Sequence, residues 1–364
     1  MATTLTGQGR PGPAATQAKP PKPATPRRAA LPLILAAGLA LLLVTLAVTV
    51  TIGPANLALT EVLRSVAGHL GLPVQPVETI PDAIVWDLRL PRVLTAAAVG
   101  AGLGLAGAVM QTLTRNPLAD PYLLGLSSGA SLGAAAVLLL GWAVLLPLAA
   151  FAGAVAALIV TLALARGAGG SLTPTRVILA GLVVSQLAAA ATSFVVFWTA
   201  KGDSYQEILA WIMGSLAGVT WTSVGLAAGA LAVIGGLVLA YAGRLDAFAF
   251  GDTAALALGV EPNRTRWLLL TAVALLTGAL VAVSGAIGFV GLLVPHAVAQ
   301  LTGPSHRRLL PVAALAGAIL LVWADTIART LFAPRELPVG VVTALVGAPV
   351  FALLLRRARG GAWN

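Results

Sequence analysis

Arg89–Ala134 reads RLPRVLTAAAVGAGLGLAGAVMQTLTRNPLADPYLLGLSSGASLGA, and the reading of this stretch decides the fold. Two arginines bracket a Leu-Pro pair. An uncharged run from Val93 to Thr114 then reaches the polar break Arg115–Pro121, and a second apolar run begins at once. About 20 apolar residues suffice to cross a bilayer as a helix. A span, a tight turn built on Asn116, Pro117, Asp120 and Pro121, and a returning span together make a membrane hairpin. Gly100, Gly102, Gly104 and Gly107, interleaved with alanine, allow neighbouring helices to approach the backbone closely. The first helix of the hairpin is therefore predicted to sit inside a bundle rather than against lipid.

Composition agrees. The chain has 364 residues, of which 59% are hydrophobic and 9% charged, and its mean hydropathy is +0.96. Soluble domains carry about 25% charged residues, so the fold class is an all-α polytopic membrane protein. The net charge of +10 does not indicate nucleic acid, because the basic residues are scattered between apolar spans and form no patch. The chain has no cysteine, which excludes disulfides, thiolate metal sites and a cysteine nucleophile. His69, His296 and His306 are too widely spaced for a metal-ligand motif, and His296 reads as a packing residue.

Outward from the hairpin, residues 1–30 hold Pro11, Pro13, Pro20, Pro21, Pro23 and Pro26 together with Lys19, Lys22, Arg27 and Arg28, the composition of a disordered basic cytoplasmic tail. Leu31–Ile52 is longer than the h-region of a signal peptide and reads as a retained first span. Thr60–Leu70 fits a short amphipathic helix with Thr60 as its N-cap. Further spans are expected at Val93–Thr114, Leu123–Gly141, Val144–Ala165, Val177–Thr199, Thr222–Ala242, Trp267–Ser284, Phe289–Leu301, Leu309–Ile327 and Val339–Leu355, giving about ten transmembrane helices within residues 31–357. Residues 358–364 form a C-terminal tail.

With the N-terminus in the cytoplasm, alternation leaves only Arg64, Arg89, Arg92, Lys201, Arg329 and Arg335 of the 22 basic residues outside. That bias follows the positive-inside rule and puts both termini in the cytoplasm. Trp86, Trp142, Trp198 and Trp221 fall near the outer boundary, and Trp267 near the inner one, as interfacial anchors do. Val99–Pro117 and Gly285–Pro304 echo each other weakly and run in opposite directions, the signature of an inverted repeat.

The chemistry of drive is missing. The three lysines, Lys19, Lys22 and Lys201, follow no phosphate-binding glycine run, so the chain has no P-loop. Nearly every ionisable residue sits at a predicted span end, which leaves no proton relay through the membrane. Arg244–Arg266, RLDAFAFGDTAALALGVEPNRTR, is the notable connection. Asp252 or Thr253 caps a short helix through Leu258, and Gly259 ends it in the left-handed position. Such a helix suits either a docking element or an interfacial helix lying on the headgroups.

In this order RLPR, GAVMQxLxRNPLADPxLLGLSSGA, GDxAAxxLGV, GAIGFVGLLVPH and LPVGVVTALVGAPVF resemble the FecCD-type permeases, the membrane subunits of type II ABC importers for iron-siderophores, haem and vitamin B12. The resemblance runs from about Trp86 to Arg357 and excludes the basic tail. It implies a vitamin B12 permease-like fold, a homodimer or a similar heterodimer with the homodimer favoured, two ATP-binding subunits on the cytoplasmic side and a substrate-binding protein outside. It implies no enzymatic activity and no cofactor in this chain, with ATP and magnesium bound by the partner subunits. The localisation implied is the plasma membrane of a bacterium.

The same resemblance assigns roles. Arg89, Arg92 and Arg329 match outer arginines that receive carboxylates of the binding protein, a task suited to a planar, permanently charged fork. Gly251, Asp252, Ala255, Leu258, Gly259 and Val260 match the loop that couples to the ATPase subunits. Asn116 and Leu118, opposed by Pro174 and Thr175, match a cytoplasmic gate. Relatives often carry small hydroxyl residues where this chain has Pro174, and plain turn chemistry explains Asn116 equally well. The expected cargo is a ferric siderophore, with haem or vitamin B12 as the alternative and an ATPase-independent secondary carrier as the reading from a different class.

Overall fold

Helices follow the hydrophobic runs. The computed structural model describes residues 30–55, 57–166, 172–199, 203–248 and 251–358. The basic tail up to residue 29, Lys201 and residues 359–364 lie outside them. Before the hairpin come α1 (Ala30–Thr51), α2 (Leu59–His69) and α3 (Thr79–Ala83). The hairpin itself is α4 (Leu90–Thr114) and α5 (Leu126–Leu139), followed by α6 (Leu146–Ala165), α7 (Pro174–Thr199) and α8 (Asp203–Ile212). Then come α9 (Trp221–Ala230), α10 (Gly236–Ala240), α11 (Ala242–Phe248) and α12 (Asp252–Ala257). The chain closes with α13 (Pro262–Ser284), α14 (Val290–Thr302), α15 (His306–Thr330) and α16 (Val339–Ala358).

Seven helical stretches among the described residues are long and apolar enough to cross a membrane: Leu31–Thr51, Thr79–Thr114, Leu146–Ala165, Pro174–Trp198, Trp221–Ala240, Pro262–Ser284 and His306–Thr330. Two are continuous only through π-helical turns, at Ile84–Arg89 between α3 and α4 and at Leu231–Gly235 between α9 and α10. The other expected spans are helical but shorter, at Leu126–Leu139, Val290–Thr302 and Val339–Leu353. Pro295 lies inside α14 without ending it.

α4 is the axis of the bundle. Its most apolar window is 89% buried, against 17% for α1, and it packs on α15, α14, α13 and α9. The glycines make this possible. A β-carbon at Gly100 would collide with the carbonyl of Gly317 in α15, and one at Gly317 would collide with that of Gly100. Two helices thus meet backbone to backbone, where van der Waals contact replaces the hydrophobic drive that lipid cannot supply. Gly107 meets Gly291 of α14 in the same way, and Gln111 Nε2 donates to the Leu292 carbonyl at 3.0 Å. The two stretches that echo each other in sequence therefore pack on one another.

One local expectation is corrected. α2 begins at Leu59, so Thr60 is not its N-cap; Ala58 holds that position, and the Glu61 carboxylate accepts its N–H at 2.8 Å. Glu61 thus makes the N3 half of a capping box, and the half that an N-cap side-chain acceptor would make is missing because alanine has none.

Candidate functional site

Charged side chains gather at the two ends of the bundle. At the end that holds Trp86 and Trp221, whose rings lie 4.7 Å apart, the structure brings Arg89, Arg92 and Arg329 together. It turns all three inward. Arg89 is buried and donates to the carbonyls of Val50 (2.8 Å), Thr51 (3.0 Å) and Ala55 (2.6 Å). These are the orphan carbonyls at and beyond the C-terminus of α1, where a cation also meets the negative end of the helix dipole. Arg329 is buried as well and donates to the Thr49 carbonyl. Arg92 grips Asp325 through two parallel bonds of 2.9 Å and donates to Glu336 at 2.7 Å. Asp325 is 1% exposed and lies 4.0 Å from Arg329. Glu336, 43% exposed, is the outermost member. Sequence reasoning set the three arginines at one end and offered Asp325 only as a partner one turn from Arg329; Asp325 as the hub that grips Arg92, with Glu336 as its rim, comes from the fold.

At the opposite end the Asn-Pro turn closes α4. The Asn116 side-chain oxygen accepts from Leu118 N–H at 2.9 Å, and Leu118 is exposed. Asp120 accepts from Tyr122 N–H at 2.9 Å, and desolvation pushes its carboxyl up to about 6. The Tyr122 hydroxyl donates to the Ile287 carbonyl at 3.1 Å and accepts from Ile287 N–H at 3.0 Å, hooking the hairpin to the loop ahead of α14. Pro174 and Thr175 open α7 at this same end, because Leu172 N–H donates to Asn263 of α13 at 3.2 Å. Among the described residues no hydrogen bond joins Asn116 or Leu118 directly to Pro174 or Thr175.

α12 lies here too. Gly251 precedes it at φ 98°, and Gly259 follows at φ 77°, the left-handed value its sequence position demanded. Asp252 is the first helical residue rather than a cap; its carboxylate reaches Arg115 at 2.6 Å and Arg266 at 3.1 Å. Ala255 is fully buried and pins the helix to the bundle, while Leu256 and Leu258 are 58% and 66% exposed. Leu256 escaped the sequence reading. Its apolar character is ordinary in a chain this hydrophobic, and only the fold shows that it points outward from a polar end. His296 stands edge-on to Phe351 with ring centroids 6.5 Å apart, a packing contact. Among the described residues no group of His, Asp and Glu could hold a metal ion.

Residues 41–357 match the FecCD transport family. The chain is 40% identical over 350 residues to the cobalamin import system permease protein BtuC of Halobacterium salinarum, covering 87% of this chain and 94% of that protein. It is 43% identical over 280 residues to the Fe(3+) dicitrate transport system permease protein FecD of Escherichia coli, covering 76% and 86%. A solved structure of a metal-chelate type ABC transporter in an inward-facing conformation superposes with a TM-score of 0.79 at 30% identity, covering 90% of this chain and 99% of that one.

Proposed function

The chain belongs to the FecCD transport family, and from that premise we propose that it passes a cobalamin-type metal chelate across the membrane. As a member it is a non-catalytic permease subunit: a binding protein delivers the substrate and separate ATPase subunits supply the energy. A ferric siderophore is the cargo the sequence alone favours. Cobalamin moves ahead of it because the cobalamin permease of Halobacterium salinarum matches over a larger share of both chains than the ferric dicitrate permease does.

The observation that carries the ATP-driven reading is α12, a short helix that holds two exposed leucines outward at a polar end of the bundle. It suits a cleft in a partner subunit. In this reading ten helices in two inverted halves span the bilayer, both termini face the cytoplasm, residues 1–30 and 358–364 are tails, and two copies form the path between them. Gly251, Asp252, Ala255, Leu258, Gly259 and Val260, joined by Leu256, form the coupling element. Asn116, Leu118, Pro174 and Thr175 border the inner mouth. At the outer end Arg92 is the arginine best placed to meet a carboxylate of the binding protein, by exchanging Glu336 for it, while Arg89 and Arg329 hold the C-terminal end of α1 beside it.

Purification from its native host with a mild detergent is expected to bring down two ATPase subunits. Reconstituted with its binding protein, the complex is expected to take up cyanocobalamin in a vanadate-sensitive way. Absence of a nucleotide-binding partner would overturn the ATP-driven reading; uptake of ferric chelates with exclusion of cyanocobalamin would overturn the cargo. A second outcome concerns Gly259→Val. Nothing lies within 4 Å of a β-carbon there, so the variant acts only through its left-handed backbone, costing about 1–2 kcal/mol locally. ATP hydrolysis should continue while uptake per ATP falls severalfold; unchanged uptake would remove Gly259 from the coupling element.

A further inference from the structure

Arg115 holds a backbone conformation that its residue type disfavours. α4 ends with Arg115 at φ 49° and ψ 37°, in the left-handed region. Arg115 N–H bonds the Thr112 carbonyl at 3.2 Å, and Asn116 N–H bonds that of Gln111 at 3.1 Å, the paired bonds of a Schellman turn. Glycine is the usual residue at that position. The same turn closes α12, and there the chain uses Gly259, whose N–H bonds Leu256 at 2.9 Å while Val260 N–H bonds Ala255 at 2.9 Å. An arginine kept where its twin is glycine points to work for the side chain.

The guanidinium does reach a partner. Arg115 Nη2 donates to Asp252 Oδ1 at 2.6 Å, and Asp252 is the first residue of α12. The same carboxylate accepts from Arg266 Nη2 at 3.1 and 3.3 Å. Arg266, buried in α13, spends its other terminal nitrogen on the Leu172 carbonyl at 3.0 Å, two residues before Pro174. Asp252 thereby ties α12 to both sides of the inner mouth: to the Asn-Pro turn through Arg115, and to the start of α7 through Arg266.

Resting on the permease reading above, we propose that Arg115 is a positioning residue that carries displacement of α12 to the Asn-Pro turn, with Arg266 carrying it to the opposing segment. The tie suits a switch. Arg115 and Asp252 are both about half exposed, so the bond breaks and remakes at little cost as the helix moves. A left-handed arginine also leaves the turn poised to relax when its anchor goes.

The test is Arg115→Gly in the complete importer, with its ATPase and binding-protein partners, in liposomes. Glycine suits the backbone, so thermal stability should equal or exceed that of the wild type and ATP hydrolysis should persist. Substrate moved per ATP should fall by about tenfold, within the range typical of coupling between sites. Arg115→Lys should recover much of the loss. Asp252→Asn should impair coupling similarly, and adding Arg115→Gly to it should cost nothing further. Wild-type coupling in Arg115→Gly, additive losses in the double variant, or a clear drop in stability with Arg115→Gly would each overturn the proposal. Failure of the wild-type complex to couple ATP to uptake would instead overturn the permease reading on which it stands.

Discussion

Gly107→Val is expected to abolish recovery of folded, monodisperse protein. A β-carbon at position 107 would overlap the carbonyl oxygen, carbonyl carbon and Cα of Gly291. Both partners are glycines, so there is no side chain to swing aside; the helices themselves must separate. Overpacking a core ordinarily costs about 1–3 kcal/mol, and the rigidity of two backbones puts this case at or above the upper end. Separation would also strain the bond from Gln111 to the Leu292 carbonyl, one turn further along α4. Size-exclusion chromatography after detergent extraction reads the outcome. Gly225→Ala in α9, where nothing lies within 4 Å of the new carbon, is the matched control and should behave as the wild type or better. Equal recovery of the two variants would show that the α4–α14 contact is not a packing constraint.

Asp325→Ala is expected to lower stability by about 3–5 kcal/mol, the usual cost of removing one partner from a buried ion pair. Asp325 is the buried carboxylate among Arg89, Arg92 and Arg329. Without it the Arg92 fork keeps only half-exposed Glu336, and Arg329 keeps only the Thr49 carbonyl. Three guanidiniums would then face one another at low dielectric. Thermal unfolding in detergent measures the loss. The paired change Arg92→Met with Asp325→Leu should restore much of it, because an apolar pair of similar volume removes both charges together. A shift within experimental error for Asp325→Ala would mean that water already solvates the cluster.

That cluster also marks how far the sequence reading could reach. It put Arg89, Arg92 and Arg329 at one end, and they do share it. It matched all three to forks that receive the binding protein's carboxylates. Arg89 and Arg329 instead brace the C-terminus of α1, an acceptor some 40 residues away for one and 280 for the other. Their direction depends on helix rotation, and spans that are apolar on every side carry little amphipathic signal to fix it. The π-helical turn Ile84–Arg89 perturbs the helical phase further, a local change that composition does not announce. The inner end follows the same logic. Gly259 was legible because only backbone geometry had to be satisfied. Arg115 passed as an ordinary cytoplasmic arginine, since its left-handed turn and its reach to Asp252 need α4 and α12 to be side by side.

By itself the sequence determined that this is an all-α membrane bundle, that α4 with its glycines is the inner helix, that charge collects at two ends and that a short glycine-closed helix stands at one of them. Those properties follow from local quantities: the length of apolar runs, the absence of a β-carbon, the chemistry of turns. Tertiary structure alone decided which way Arg89, Arg92 and Arg329 face, that Asp325 is their hub, that Leu256 points outward and that Arg115, Asp252 and Arg266 join α12 to the Asn-Pro turn and to the segment ahead of α7. Each of these is a pairing between residues far apart in the chain, and such pairings exist only once the helices have chosen their rotation and their neighbours.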